Sequence, residues 1–197
     1  MRRPGRAWIL VGALLGACAL LGWPLRHESI DWQPALWASQ PWRALTAVGV
    51  HYSVQHLIGN LAGVLLATVF GLAALVPARM AGAWLAAWPM THLGLLVKPE
   101  LLHYGGLSGV VHAGVAIVIV FVLITGTRRQ RWVGSAVLAG FCAKLLSETP
   151  WGEALRHPAG WDIAVAPIAH ATGALAGALC AAFALWLAPR RAPAIRP

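Results

Sequence analysis

The sequence predicts an all-α membrane protein, a bundle of six membrane-crossing helices with both termini in the cytoplasm. Of its 197 residues, 59% are hydrophobic and only 11% are charged, and the mean hydropathy is +0.69. Apolar runs recur along the chain, each near the roughly 20 residues that one bilayer crossing needs. We treat 1–197 as one membrane domain and place the spans at about 7–25, 47–76, 80–97, 107–126, 132–149 and 163–188.

The distribution of charge predicts the orientation, because cytoplasmic loops accumulate Lys and Arg. Six spans would put these arginines on one side: Arg2, Arg3, Arg6, Arg79, Arg128, Arg129, Arg131, Arg190, Arg191 and Arg196. The acidic residues fall on or near the other side: Glu28, Asp31, Glu100, Glu148, Glu153 and Asp162. The loop 26–46 is therefore expected to be external. Since the arginines are scattered over short loops, the net charge of +9 indicates topology and not nucleic-acid binding.

The first span resembles a signal peptide in its basic start, but no small-residue cleavage site follows it, which favours a retained helix. The loop after it carries Trp32, Trp37 and Trp42, and tryptophan prefers the membrane interface. Three cysteines lie in different apolar runs without CxxC spacing, so packing is expected of them and no metal or redox role: Cys18, Cys142 and Cys180.

The second span opens with HYSVQHLIGN, in which His56 and Asn60 are four residues apart and share a helix face. His51 points elsewhere and is expected to fix the preceding loop by hydrogen bonding. Polar groups at membrane depth need partners, so His56 and Asn60 either serve a function or hydrogen-bond across helices as glue. Farther along, His103 is expected to be solvated or interfacial.

The fourth span begins in HYGGLSGVVHA, which places Ser108 between Gly106 and Gly109 at the start of a helix. The first N–H groups of a helix have no intrahelical partner, and together with an uncrowded hydroxyl they could form an oxyanion hole. The alternative is that this serine is a close-packing contact between helices. His112 lies four residues on, on the same face, and is a rival candidate for a catalytic base.

The last two spans add a possible ion pair and a second histidine. Lys144 and Glu148 are four apart and could pair within the fifth span. In the sixth, small residues follow His170 at helical spacing: Gly173, Ala174, Gly177 and Ala178. Such a stripe lets a helix approach its neighbour closely. If that neighbour carries Ser108, the imidazole can reach the hydroxyl; otherwise the stripe serves packing alone.

Taken together, these residues resemble the rhomboid intramembrane serine proteases. Four motifs stand in that family's order and on the expected spans: Trp42–Arg43, the HxxxxHxxxN of His51, His56 and Asn60, GLSG at 106–109, and HxxGxxxG from His170 to Gly177. The resemblance implies peptide-bond hydrolysis within the bilayer near its outer face, without cofactor or metal. It implies that Ser108 is the nucleophile and His170 the base.

By the same resemblance, His56, Asn60 and the Ser108 N–H form the oxyanion hole. Supporting roles are implied for Trp42, Arg43, His51, Gly106, Gly109, Gly173 and Gly177. The sequence shows no obvious acid to complete a triad, which fits the high cost of burying an ionised carboxylate.

A narrower resemblance is to the rhombosortases, a compact bacterial branch. It is based on YGGLSGVVH around Ser108, the bare six-span length, and Lys144 with Glu148 in the fifth span. This implies a protein of the bacterial inner membrane whose partners are the lipid bilayer and transmembrane substrates with a C-terminal Gly-Gly-type anchor.

Two alternatives stay open. In a transporter or channel, His51, His56, His112 and His170 would line a proton or metal path, although no HExxH motif occurs. An inactive rhomboid relative would bind membrane helices without cutting them, and the presence of both Ser108 and His170 argues against it.

Overall fold

The computed structural model describes residues 5–187, in which helices and their connecting loops make up the whole chain. The α-helices in chain order are α1 (Arg6–Gly22), α2 (His27–Ile30), α3 (Arg43–Thr46), α4 (Val54–Ala73), α5 (Ala78–Leu93), α6 (Ser108–Thr125), α7 (Arg128–Ser147) and α8 (Pro167–Trp186). Short 3₁₀ turns occupy Pro34–Leu36, Ala47–Gly49 and Gly94–Val97. Arg2, Arg3, Arg190, Arg191, Arg196 and the last residue of the sixth expected span lie outside the described residues.

Within residues 5–187, four helices are long and apolar enough to cross a membrane: α4, α5 with its 3₁₀ extension to Val97, α6 and α8. Helix α1 is apolar but has 17 residues. Helix α7 has 20 residues, and its polar first turn, RRQR, makes it less apolar. An all-helical protein with the character of an integral membrane protein is therefore confirmed, whereas six crossings remain a prediction.

Several helices begin away from the limits of the predicted spans, each for a local reason. The run 47–76 starts as a 3₁₀ turn, and α4 begins at Val54 because the Ser53 hydroxyl accepts the His56 N–H. The run 132–149 starts earlier as a helix, at Arg128, because Thr127 and Gln130 form a capping box. The run 163–188 is extended until Pro167, a residue that favours the first position of a helix.

Helices α6 and α8 lie side by side and parallel in the centre of the bundle. A Cβ atom added at Gly173 would clash with the carbonyl oxygen of Gly109, and one at Gly177 with that of Ala113. The small-residue stripe of α8 thus packs directly on the backbone of α6, as the sequence pattern predicts. This close approach brings the beginnings of the two helices, with Ser108 and His170, to the same end of the bundle.

Buried tryptophans join the other helices to this pair. Trp8 stacks on Trp84 with ring centroids 4.3 Å apart, and its indole N–H donates to the carbonyl of Ala67. The Trp84 indole donates to the carbonyl of Val110 at 2.8 Å. Hydrogen bonds of buried tryptophans therefore link α1 to α4 and α5 to α6, and the stacked rings link α1 to α5.

The surface of the bundle is strongly apolar. Large side chains with at least half of their area exposed include Ile58, Leu65, Leu66, Val69, Leu175, Leu179, Phe183 and Trp186. They lie on α4 and α8, and contiguous apolar surface of this kind marks contact with lipid or protein. Helix α7 is the most exposed, since Gly134 is its one buried residue.

The loops 23–53, 94–107 and 148–166 meet at one end of the bundle, which we call the acidic end because it carries the acidic residues of the chain. The loops are tied together by specific bonds. Trp32 and Tyr104 pair through both backbone N–H groups, and Ser53 donates to Asp162 Oδ1 at 2.7 Å. A polar cap therefore covers the start of α4, α6 and α8.

Candidate active site

A cavity of about 530 Å³ opens at the acidic end. Seven polar residues of the helices contribute to its lining, and Glu148 directly after α7 is an eighth: His56, Asn60, Ser108, His112, Lys144, Ser147 and His170. They come from α4, α6, α8 and the end of α7, and the loop 155–166 contributes further lining residues. The structure thus brings Ser108 and Asn60 together with His56, His112 and His170, whereas His51 does not line the cavity.

Ser108 is the first residue of α6, and its side chain is partly exposed to the cavity. The preceding Leu107 provides no side-chain cap, so the first N–H groups of α6 remain available as donors. The segment before Ser108 is fixed, because Tyr104 pairs with Trp32 and the Gly106 N–H donates to the Ala47 carbonyl at 2.9 Å. Burial raises the pKa of the Tyr104 phenol, which keeps its proton.

Gly106 lies against His56 and Asn60, the two side chains expected to donate to an oxyanion. A Cβ atom at this position would come within 2.7 Å of His56 Nε2 and 3.4 Å of Asn60 Nδ2. Its φ of +126° is a conformation that residues with a side chain rarely adopt. Glycine therefore permits both the turn into α6 and the space between these donors and the backbone.

Both His56 and Asn60 have a side-chain N–H group that is free to donate into this space. The Tyr52 N–H donates to His56 Nδ1 at 3.4 Å, so the ring proton is assigned to Nε2, the atom beside Gly106. Asn60 Nδ2 is buried and has no partner within residues 5–187. Buried amide donors are seldom left unpaired without a reason such as a catalytic role.

His170 lies near the start of α8 and is held on two sides. Its ring stacks on that of His112, with centroids 4.2 Å apart and an interplanar angle of 14°. Its Nδ1 donates to Glu148 Oε2 at 2.7 Å. No hydrogen bond joins Ser108 and His170 in the part of the chain that the structure describes, although both line the cavity.

His112, the rival candidate for the base, already uses one ring nitrogen in a hydrogen bond within its own helix. Its Nδ1 donates to the Ser108 carbonyl one turn earlier, at 2.6 Å. The His112 imidazole is therefore held by a hydrogen bond to its own helix and by stacking on the ring of His170. This arrangement makes His112 a neighbour that supports His170.

The sequence showed no obvious acid to complete a triad, but in the structure Glu148 contacts His170 directly. The physical reason is Lys144, whose Nζ lies 2.7 Å from Glu148 Oε1. The predicted pairing of Lys144 with Glu148 is confirmed, and an ammonium at this distance offsets the cost of the partly buried carboxylate. The spacing of four residues signalled the pair, whereas the contact with α8 had no sequence signal.

Three of the residues assigned supporting roles lie in the loop 23–53: Trp42, Arg43 and His51. Arg43 is buried and donates to Asp31 Oδ1 at 3.0 Å and to the Glu28 carbonyl at 3.0 Å, which holds the loop after α1. Trp42 is about half exposed. His51 is fully buried, with Nδ1 3.4 Å from the Gly49 carbonyl and its ring 4.9 Å from that of His56.

Asp31 and His103 were not singled out for this cap. Asp31 Oδ2 accepts a hydrogen bond from His103 Nδ1 at 2.6 Å. This bond fixes the loop after α1 to the segment that leads into Ser108. His103 was expected to be solvated or interfacial, and its side chain is 52% exposed while it makes this bond. Asp31 and His103 are 72 residues apart in the chain, so no local sequence pattern predicts this contact.

No protein-family model, curated protein or solved structure matches the chain.

Proposed function

We propose that the protein is an intramembrane serine endopeptidase of the rhomboid type. The observation that carries this proposal is the convergence of Ser108, His170 and two side-chain donors, His56 Nε2 and Asn60 Nδ2, on one cavity at the end of a membrane bundle. A nucleophile, a base and oxyanion donors are the parts that acyl transfer requires.

In the proposed reaction, Ser108 Oγ attacks the carbonyl carbon of the scissile peptide while its proton passes to His170 Nε2. The carbonyl oxygen gains the negative charge and accepts hydrogen bonds from His56, Asn60 and the Ser108 N–H. Collapse of this intermediate expels the amine, which takes the proton from His170. Water then hydrolyses the acyl-enzyme by the same steps, with His170 as base.

A fluorophosphonate probe tests this function directly, because it forms a covalent bond only with an activated serine. Incubating the purified protein in detergent micelles with the probe is expected to give one adduct, located on Ser108 by peptide mass spectrometry. The variant Ser108→Ala should give none. Labelling that persists in this variant, or its absence in the unaltered protein, would contradict an endopeptidase.

We propose further that α1 and α7 complete six crossings, with the acidic end outside and both termini in the cytoplasm of a bacterial inner membrane. The arginines at the other end support this orientation. In a background with alanine in place of the three cysteines, Ser39→Cys should react with an impermeant maleimide in intact cells, and Arg129→Cys should react only after lysis. Labelling of Arg129→Cys in intact cells would reverse the topology.

The substrates proposed are single-span proteins with a Gly-Gly site just outside a C-terminal anchor helix. The support for this class is the resemblance around Ser108. Co-expression with a tagged substrate should give cleavage that is lost when the two glycines become valines, because bulky residues hinder access to a recessed serine. Equal cleavage of an N-terminally anchored protein lacking the motif would exclude this specificity.

A further inference from the structure

The end of α7 brings two charged side chains against the histidine of α8. Glu148 bridges its neighbours, with Oε1 2.7 Å from Lys144 Nζ and Oε2 2.7 Å from His170 Nδ1. Lys144 Nζ itself lies 3.3 Å from the same ring nitrogen. The side chain of His170 is 7% exposed and that of Glu148 is 26% exposed, so the contact between them is shielded from water.

This contact decides which nitrogen of His170 carries the proton. An ionised carboxylate accepts hydrogen bonds and donates none, and Glu148 Oε2 lies closer to Nδ1, at 2.7 Å, than Lys144 Nζ does, at 3.3 Å. We therefore assign the proton to Nδ1. The lone pair is then left on Nε2. A base that is to take a proton from Ser108 needs that lone pair at the nitrogen facing the cavity.

The packing of α7 offers no other reason for an inward carboxylate. Gly134 is the one buried residue of this helix, and most of its side chains are exposed. A carboxylate on such a helix would be better solvated pointing outward, because desolvation costs an ion several kcal/mol. Its inward position is stabilised by two specific partners, the ammonium and the imidazole.

We propose that Glu148 is a positioning residue for His170, which it holds in the Nδ1–H tautomer and whose protonated form it stabilises. The proposal rests on the proposed function of Ser108 and His170. When Ser108 Oγ attacks, its proton moves to His170 Nε2 and the ring becomes an imidazolium. The Glu148 carboxylate stays ionised, faces that new positive charge, and keeps its bond to Nδ1–H until Nε2 passes its proton to the leaving amine.

Lys144 and His112 complete this arrangement in different ways. Lys144 neutralises the carboxylate when the histidine is neutral, so the resting site holds no net charge from the pair. His112 stacks on the ring face and fixes its plane. Glu148 acts on the ring edge, and an edge contact is the one that selects a tautomer.

The closing experiment measures the rate constant of fluorophosphonate acylation, together with kcat and KM for peptide cleavage, in Glu148→Gln. We expect acylation and kcat to fall by about 10²–10⁴-fold, as when the carboxylate partner of a catalytic histidine is made neutral, with KM little changed. Glu148→Asp, which keeps the charge, should recover part of the loss. Glu153→Gln, an exposed acid of the same loop, is the matched control and should behave like the unaltered protein.

A purely structural ion pair predicts other results. If Glu148 only neutralised Lys144, the double variant Lys144→Met with Glu148→Gln would regain the acylation rate; we expect it to stay slow. Acylation of Glu148→Gln at the unaltered rate would overturn this role while leaving Ser108 as the nucleophile. If the unaltered protein itself were not labelled at Ser108, the proposed function would fail and this role with it.

A measurement on the unaltered protein covers the case in which Glu148→Gln does not fold. Nitrogen-15 NMR of histidine-labelled protein, with His170→Ala used for assignment, reports which ring nitrogen is protonated. We expect His170 to carry its proton on Nδ1 at neutral pH. A His170 protonated on Nε2 alone would overturn the proposal.

Discussion

Replacing Ser108 or His170 by alanine is expected to abolish peptide cleavage, with a loss of about 10⁴-fold or more in kcat. In the proposed mechanism, Ser108 supplies the attacking oxygen, and His170 is the base that the Glu148 contact leaves with a free Nε2. The two residues act on one proton in one step. The double variant should therefore cost little more than either single variant, since residues that work as a unit are not additive.

The measurement is cleavage of a fluorogenic transmembrane peptide in proteoliposomes, with probe labelling run in parallel. Thermal unfolding in detergent provides the check on structure, and Ser108→Ala is expected to match the unaltered protein there. His170 is buried against the ring of His112 and the carboxylate of Glu148, so His170→Gln serves as a second variant that fills more of the same space.

His112 is the matched control for the identity of the base. Since its Nδ1 donates to the Ser108 carbonyl and its ring supports the face of His170, His112→Ala should retain measurable labelling at Ser108. His112→Phe, which keeps a stacking ring, should retain more. Labelling that survives in His170→Ala but not in His112→Ala would assign the base to His112.

The second large effect is expected at the oxyanion site. His56→Ala and Asn60→Ala should each lower kcat by about 10²–10³-fold, or about 2.7–4 kcal/mol of transition-state stabilisation. Both donors converge beside Gly106, and Asn60 Nδ2 has no other partner among the described residues. KM should change little, because these bonds strengthen only when the carbonyl oxygen becomes negative.

Asn60→Asp sharpens this test because it keeps the size of the side chain and replaces the donor by an acceptor. It should be at least as slow as Asn60→Ala. Thr68→Ala, on the same helix but bonded to the Val64 carbonyl away from the cavity, should leave kcat unchanged. Loss of expression or of thermal stability in the His56 and Asn60 variants, with kcat per folded molecule preserved, would mean that these residues only join helices.

Much of the helical architecture follows from local sequence. Apolar runs near the length of a bilayer crossing predict α4, α6 and α8, because an isolated backbone in lipid must satisfy its hydrogen bonds within a helix. The close contact of α8 with α6 follows from the stripe of Gly173 and Gly177, since small residues let helix backbones touch. The spacing of four residues likewise predicts that Lys144 and Glu148 pair.

Helix limits were predicted less well, because capping and turns decide them. Ser53, Thr127 and Pro167 set the starts of α4, α7 and α8, whereas hydropathy changes gradually across these positions. A side-chain oxygen that accepts one N–H fixes a helix start to the residue. An average over an apolar run has no such resolution.

The existence of the long apolar helices, the chemical types of the candidate residues and the helix face that His56 shares with Asn60 can be read from the sequence, because each depends on residue identity or on a spacing of a few residues. Three features depend on the tertiary structure. The candidate residues meet in one cavity, Glu148 and not water faces His170 Nδ1, and Asp31 is hydrogen-bonded to His103. Contacts between helices depend on their rotation and relative height, which the packing of the whole bundle sets. No local pattern encodes those two quantities, and the acidic partner of the histidine is therefore visible only in the fold.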